Sequence, residues 1–422
     1  MASAGEPGRD TGDGPVLSTL SHAKVCILTY GCTYNFGDSR KLEDVLASQG
    51  CRIVATPEDA DAVVVNTCTV IAPTERKMLR VLHQHREKPL YVTGCMPEVQ
   101  RDEILSVCSP VFISQGEIMA RYRTIRPGTA IRRDTGIVQI ARGCHGACTY
   151  CITRRARGQL VSISPDTILQ EIQRCHERGA TEIQLCAQDC SAWGTDHGGH
   201  LGDLLAHIAD LPGTFLLRIG MMNPGTLLPA LDAIIESFSD PRLFRFVHIP
   251  VQSGSDRILS RMGRGYTRED FLMIVREFRE HIPDITLATD IITGFPGEDE
   301  QDVRQSVELL SAVMPAKVNV TRYSRRPGTA VSQQRDHTDL VKKVRSRMIQ
   351  QHAEKIYQHL HEPVLGTLVQ VTVTERLRPG SVLARTGNYT GVVVRGDLPV
   401  GTVLVARITT DRTYFFLGDP VS

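Results

Sequence analysis

Between residues 23 and 323 short β-branched runs alternate with amphipathic stretches, and this alternation leaves few folds open. Strands separated by helices return to the same end of the sheet each time, so they run parallel. Residues 23–30, 62–66 and 90–93 read as buried parallel strands, with helices over 38–48, 73–86 and 97–107 between them. Asp38 suits an N-cap, and Pro73 and Pro97 suit first turns. An N-terminal open α/β sheet domain is the expected result.

The same alternation resumes further on. Strands are expected at 137–142, 182–187, 215–221, 245–251, 286–292 and 317–323, with helices such as 164–179, 267–281 and 299–314. Six parallel strands with intervening helices predict a central partial (β/α)6 barrel. A basic helical segment, 339–361, leads out of it. The last sixty or so residues are rich in Val, Thr and Leu and punctuated by Gly and Pro; 364–375, 382–394 and 402–409 read as a small antiparallel β-barrel. With 422 residues, about three domains are expected. The boundaries fall at 23–133, 134–361 and 362–422, after a Gly/Pro/Ser-rich tail over 1–22 that reads as disordered.

Charged residues are 23% and the net charge is +1, which excludes a histone-like polycation and an acidic tail protein but not local basic patches. The apolar runs fall far short of the ~20 residues that span a bilayer. The first residues form neither a signal peptide nor a transit peptide. A cytoplasmic protein with no membrane association is expected.

Twelve cysteines in a reducing compartment point to metal or catalytic chemistry rather than disulfides. Cys32, Cys68 and Cys95 each follow one of the first three strands, at the carboxyl ends where open α/β sheets bind ligands. Gly31 and Gly94 permit tight turns before two of them. Cys144, Cys148 and Cys151 lie in one tight loop after the first barrel strand, spaced i, i+4, i+7. Three thiolates so spaced can ligate three irons of a [4Fe–4S] cluster and leave the fourth iron open to a substrate or cofactor. Structural zinc normally takes four protein ligands in paired spacings, and His145 is too close to Cys144 to complete such a set. Cys26, Cys51, Cys108, Cys175, Cys186 and Cys190 read as core or idle thiols.

From Arg121 to Arg157 nine arginines face one acid, Asp134, and this run flanks the three-cysteine loop. A phosphate-binding site is expected there, with Arg154, Arg155 and Arg157 as RNA-binding residues. The terminal barrel interleaves six arginines between 376 and 412 with Tyr389, Tyr414, Phe415 and Phe416, a second candidate nucleic-acid surface.

The loop Cys144–Cys151, with Tyr150 before its last cysteine, resembles the signature of the radical S-adenosylmethionine (SAM) superfamily. Thr29-Tyr30-Gly31-Cys32, Asn66-Thr67-Cys68-Thr69 and Thr93-Gly94-Cys95 look like the N-terminal half of its methylthiotransferases. His248-Ile249-Pro250-Val251-Gln252-Ser253-Gly254-Ser255 and Thr289-Asp290-Ile291-Ile292-Thr293-Gly294-Phe295-Pro296-Gly297-Glu298 are similar to that family's fourth and fifth barrel strands. The terminal barrel looks like a TRAM RNA-binding domain. The resemblance spans about residues 23 to 422.

The resemblance implies two [4Fe–4S] clusters. One, on Cys144, Cys148 and Cys151, binds SAM and cleaves it to a 5′-deoxyadenosyl radical. The other, on Cys32, Cys68 and Cys95, carries the sulfur. It also implies tRNA as substrate, with an external electron donor and sulfur source. Thr153-Arg154-Arg155-Ala156-Arg157-Gly158, and Asn66-Thr67-Cys68-Thr69-Val70 followed by Pro73-Thr74-Glu75, resemble the enzymes that convert N6-threonylcarbamoyladenosine, next to the anticodon, to its 2-methylthio derivative. Isopentenyladenosine in tRNA is an alternative substrate. So is a ribosomal-protein aspartate, towards which Ala187-Gln188-Asp189 leans. An RNA-binding iron–sulfur protein that only moves electrons or senses oxygen is the alternative of a different class.

By the same resemblance Tyr150, Gln188, Asp189, Gln252, Ser253, Arg264, Asp290 and Gly294 are expected around SAM. Gln188 and Asp189 would meet the ribose hydroxyls, Tyr150 the adenine and Arg264 the carboxylate. Asn35, Asn66 and Thr69 are expected in supporting roles or as caps.

Overall fold

The computed structural model describes residues 16–125 and 131–421. Its contacts divide the chain into two units. One takes in the chain up to Tyr30, Asp38–Cys68 and Arg76–Ile131; the other takes in Gly31–Gly37, Thr69–Glu75 and Arg132–Ser422.

In the first unit β1 (Lys24–Thr29), β2 (Arg52–Val54), β3 (Ala62–Thr67), β4 (Leu90–Gly94) and β5 (Val111–Phe112) form one parallel sheet in the order β2-β1-β3-β4-β5. Strand β3 is buried along its whole length because both sheet faces are covered. Ala62 and Val64 pack with Val25, Leu42 and Leu46 on one side, while Val63 and Val65 pack with Met78, Leu82 and Val92 on the other. This two-residue period is that of a central strand in a doubly covered sheet. The two edge strands, β2 and β5, have only three and two residues and escape a periodicity reading.

Two expectations are corrected. Residues 1–15 lie outside the described part, but Val16–Leu20 forms a 3₁₀ turn whose Leu17 and Leu20 are buried in this core, so the ordered chain begins before residue 22. The first helix is Thr33–Ser48, and Asp38 sits buried inside it rather than capping it.

In the second unit β6 (Thr135–Gln139) is followed by a small antiparallel clip of β7 (Ala141–Arg142) and β8 (Val161–Ser162). Then come β9 (Glu182–Cys186), β10 (Leu216–Ile219), β11 (Phe246–His248), β12 (Thr286–Thr293) and β13 (Lys317–Arg322). The order β6-β9-β10 continues through the parallel bridges Leu217–Leu243 and Met221–His248 into β11-β12-β13. All six expected strands of the partial barrel are present and parallel. The helices between them are capped as their sequences ask: Thr267 and Asp299 form capping boxes with Asp270 and Asp302.

Helix Asp339–His361 packs on β13, and β14 (Leu368–Arg378), β15 (Ser381–Arg385), β16 (Gly391–Arg395), β17 (Val403–Asp411) and β18 (Phe416–Pro420) close into a barrel in the order β14-β15-β16-β18-β17. The run expected over 382–394 is two strands, β15 and β16, joined by a turn in which Tyr389 has φ of 70°. Val371, Val373, Val382, Val392, Val394 and Phe416 fill the interior of this barrel.

Candidate active site

The three-cysteine loop is pinned at both ends. Strands β7 and β8 clip residues 143–160 together, and Gly143 sits at the crossing with φ of 73°. A Cβ there would lie 1.9 Å from the Gln159 carbonyl oxygen, so only glycine fits. The loop is stitched to the barrel by Thr149, whose amide donates to the Met262 carbonyl at 2.9 Å and whose hydroxyl donates to that of Arg261 at 2.9 Å.

Cys144, Cys148 and Cys151 line one cavity of about 440 Å³ together with Arg154, Arg155 and Thr329. Burial pushes the Cys144 thiol up to about 11, and Asp189, Cys151 and Cys148 push in the same direction. Burial likewise raises Cys151. Burial keeps Cys144 and Cys151 from ionising, so their thiolates ask for a cationic centre, and thiolate is the form that binds metal. Among the described residues no three His, Cys, Asp or Glu groups are placed to share a single metal ion. Three thiolates from one loop suit three irons of a [4Fe–4S] cluster and leave its fourth iron open.

Arg264 reaches this loop. Its Nη1 donates to Cys148 Sγ at 3.1 Å, its Nε to the Tyr266 hydroxyl at 2.9 Å, and its Nη2 to Asn223 Oδ1 and the Pro250 carbonyl, both at 3.3 Å. Burial opposes its charge, but Tyr266, Tyr150 and Cys148 outweigh that and hold it above the ordinary range. The Tyr266 hydroxyl donates to the Val251 carbonyl at 2.8 Å, and burial pushes its pKa up to about 12. Asn223 and Tyr266 were not anticipated, although Tyr266 stands two residues from Arg264 in Met262-Gly263-Arg264-Gly265-Tyr266.

The other expected SAM residues divide. Asp189 is buried and already satisfied: Oδ1 accepts from Ser191 at 2.8 Å and the Asn223 amide at 3.0 Å, and Oδ2 accepts from Thr226 at 2.7 Å. It thus ties the end of β9 to the end of β10, and burial raises its pKa. Gln188, beside it, has a buried Oε1 with no partner among the described residues. Gln252 holds φ of 71°, a strained conformation for a side chain with a Cβ, while its amide bonds the Asp290 carbonyl. Ser253 is buried and its hydroxyl accepts from the Ser255 amide at 3.2 Å. Asp290 Oδ1 is taken by His248 Nε2 and Asn319 Nδ2, each at 2.8 Å. Gly294 serves packing: a Cβ there would lie 2.4 Å from Lys342 Cγ. Tyr150 packs edge-to-face on Phe295 at 6.0 Å, with burial holding its hydroxyl well above the usual range.

The arginines divide as well. Arg154 and Arg155 are exposed on the cavity wall, Arg155 donating to the Pro327 carbonyl at 2.9 Å. Arg157, expected to bind RNA, is instead 5% exposed. Its Nη2 donates to Asn35 Oδ1 at 2.8 Å and its guanidinium lies 4.7 Å from the centre of the Tyr34 ring. On the terminal barrel, Arg385 and Tyr389 are spent on Glu182, at 3.0 and 2.7 Å, and Tyr389 packs against Phe244 and Phe246. Tyr414 and Phe415 remain exposed.

The remaining cysteines keep their expected addresses. Cys68 follows β3, Cys95 follows β4, and Cys32 stands just before helix Thr33–Ser48 after β1; these three strands are neighbours. Gly94 has φ of 96° and a Cβ there would lie 2.3 Å from the Thr67 carbonyl oxygen, which lets the Cys95 amide bond that oxygen at 2.9 Å. Cys68 and Cys95 are buried and Cys32 is exposed.

Comparison with known proteins gives matches to the Radical SAM superfamily over residues 138–310, to the uncharacterized protein family UPF0004 over 24–113, and to the TRAM domain over 364–421. A probable threonylcarbamoyladenosine tRNA methylthiotransferase of Pyrococcus abyssi is 38% identical over 94% of this chain and 100% of its own. The threonylcarbamoyladenosine tRNA methylthiotransferase of Homo sapiens is 32% identical over 94% of this chain and 74% of its own. Among solved structures, the radical SAM methyltransferase TsrM of Kitasatospora setae shares the fold with a TM-score of 0.50 at 15% identity, covering 74% of each chain. No helix among the described residues is long and apolar enough to cross a membrane.

Proposed function

The chain belongs to the family of threonylcarbamoyladenosine tRNA methylthiotransferases, and from that premise we propose that it transfers a methylthio group to C2 of N6-threonylcarbamoyladenosine, next to the anticodon of tRNA. The observation that carries this reading is the shared wall of Arg154, Arg155 and the three thiols of Cys144, Cys148 and Cys151. An anionic substrate is drawn to the place where the radical is made.

Cys144, Cys148 and Cys151 would hold the radical cluster, which with bound SAM would supply one-electron cleavage of the sulfonium. Arg264 steadies the Cys148 side of that site and holds a fixed positive charge there. Asp189 locks the ends of β9 and β10 together, so the cavity rim keeps its shape. Cys32, Cys68 and Cys95 are assigned to a second, sulfur-carrying cluster, with electrons and sulfur supplied from outside the chain.

Threonylcarbamoyl carries a carboxylate and a hydroxyl, whereas isopentenyl is hydrocarbon. Burying a carboxylate without a cation is costly, so the arginines around the Cys144–Cys151 loop, the buried Arg326 among them, favour the former. The test is a competition under anaerobic conditions among threonylcarbamoyl-tRNA, isopentenyl-tRNA and the ribosomal protein. Methylthio should accumulate on the threonylcarbamoyl tRNA; accumulation on either competitor overturns the reading.

A further inference from the structure

A second, smaller cavity of about 70 Å³ adjoins the radical-cluster loop. Tyr150, Cys151 and Ile152 form one wall, Ile71 and Ile292 contribute apolar surface, and Arg326 closes it. Arg326 is 4% exposed. Its Nη1 pairs with Glu75, but Nε and Nη2 are buried and have no partner among the described residues.

Those two nitrogens form one edge of the planar guanidinium, the edge that receives two oxygens of an oxyanion side by side. A buried donor left unpaired is expensive, so a folded protein that keeps two of them has a partner for them in its working state. Glu75 neutralises the cation through Nη1 and leaves Nε and Nη2 unpartnered. Arg322 lines the same cavity and is exposed, which adds a second positive charge at its mouth.

We propose that the Nε–Nη2 edge of Arg326 receives an oxyanion of the substrate, and that this oxyanion is the carboxylate of the threonylcarbamoyl group; the assignment rests on the function proposed above. A phosphate of the tRNA backbone has the same chemistry. The small volume and the apolar lining by Tyr150, Ile152, Ile71 and Ile292 favour a compact terminal group over a strand that must run through.

The experiment compares threonylcarbamoyl-tRNA with the same tRNA whose threonyl carboxylate has been converted to the neutral amide, using the full-length protein with both clusters. Wild type should lose roughly ten- to a hundredfold in kcat/KM on the amide, the worth of a charge-assisted hydrogen bond. Arg326→Gln should lose a similar factor on the acid and little more on the amide, so the two substrates become equivalent. Arg326→Lys keeps a cation without the fork and should fall between. Equal losses for Arg326→Gln on both substrates would assign the edge to a phosphate. A wild type that treats acid and amide alike overturns the proposal, even if Arg326→Gln does not fold. A wild type that modifies neither, but accepts isopentenyl-tRNA, overturns the functional reading instead.

Discussion

Arg264 Nη1 donates to Cys148 Sγ at 3.1 Å, and the same guanidinium is fastened by Tyr266, Asn223 and Pro250. One of the three thiols therefore differs from the other two in facing a fixed cation. Hydrogen bonds to ligand sulfur and nearby positive charge raise a cluster's reduction potential, because they stabilise the reduced, more negative state. Arg264→Met should lower the potential of the radical cluster and slow SAM cleavage tenfold or more, a loss of about 1.4 kcal/mol or above. A redox titration followed by electron paramagnetic resonance reads the potential directly. An unchanged potential in Arg264→Met would show that Cys148 is not tuned by this contact.

The two cysteine sets should separate in iron content and in chemistry. Replacing Cys144, Cys148 and Cys151 by alanine should remove about half of the iron and all 5′-deoxyadenosine formation, since an open-iron cluster is what engages SAM. Replacing Cys32, Cys68 and Cys95 should remove the other half and abolish methylthio transfer, while SAM cleavage persists. Iron analysis and nucleoside mass spectrometry on anaerobically reconstituted protein check both. Loss of SAM cleavage in the second variant, with the fold intact, would break the division of labour.

The three arginines after Cys151 should behave as two classes. Arg154 and Arg155 are exposed beside the thiols, so replacing both with alanine should flatten the salt dependence of tRNA binding by roughly one to two units of slope. Arg157 is buried on Asn35 and Tyr34, so Arg157→Ala should leave that slope in place. It should instead destabilise the protein by about 1–3 kcal/mol, because Asn35 loses a buried donor. Filter binding at several salt concentrations and thermal melts separate the outcomes. A changed slope in Arg157→Ala would return this residue to the RNA surface.

What was legible in the sequence follows from how local each cause is. The barrel strands and the addresses of the cysteines come from period and spacing, which act within a few residues, and they are where the sequence places them. The start of the first helix is not where Asp38 suggested, because packing carries the helix back through Asn35 and Gly37, two poor helix formers. The burial of Arg157 depends on Asn35, 122 residues away in the chain. Arg326 lies in the loop Ser324-Arg325-Arg326-Pro327-Gly328, where nothing local tells the buried arginine from its exposed neighbour. Glu75, 251 residues before it, supplies the missing reason. Tyr389 and Arg385 mislead in the same way: within a basic, aromatic stretch nothing local shows that these two are taken up by Glu182.

Asp290 offers a test by pH. Burial alone would raise its carboxyl, but the hydrogen bonds from His248 and Asn319 and the charge of Lys317 outweigh that and hold it below the ordinary aspartate range. The unfolded chain releases this proton near the usual value of about 3.9, and the folded chain releases it lower. Above that value both states are ionised and the stabilisation is fully present; it is lost as pH falls through the folded value, where the native state must take up a proton. Asp290→Asn removes the titration. The stability gap between wild type and Asp290→Asn should therefore narrow as pH falls below about 4. Urea midpoints measured across that range give the gap. A gap that widens below pH about 4 would mean that Asp290 is not held ionised by His248 and Asn319.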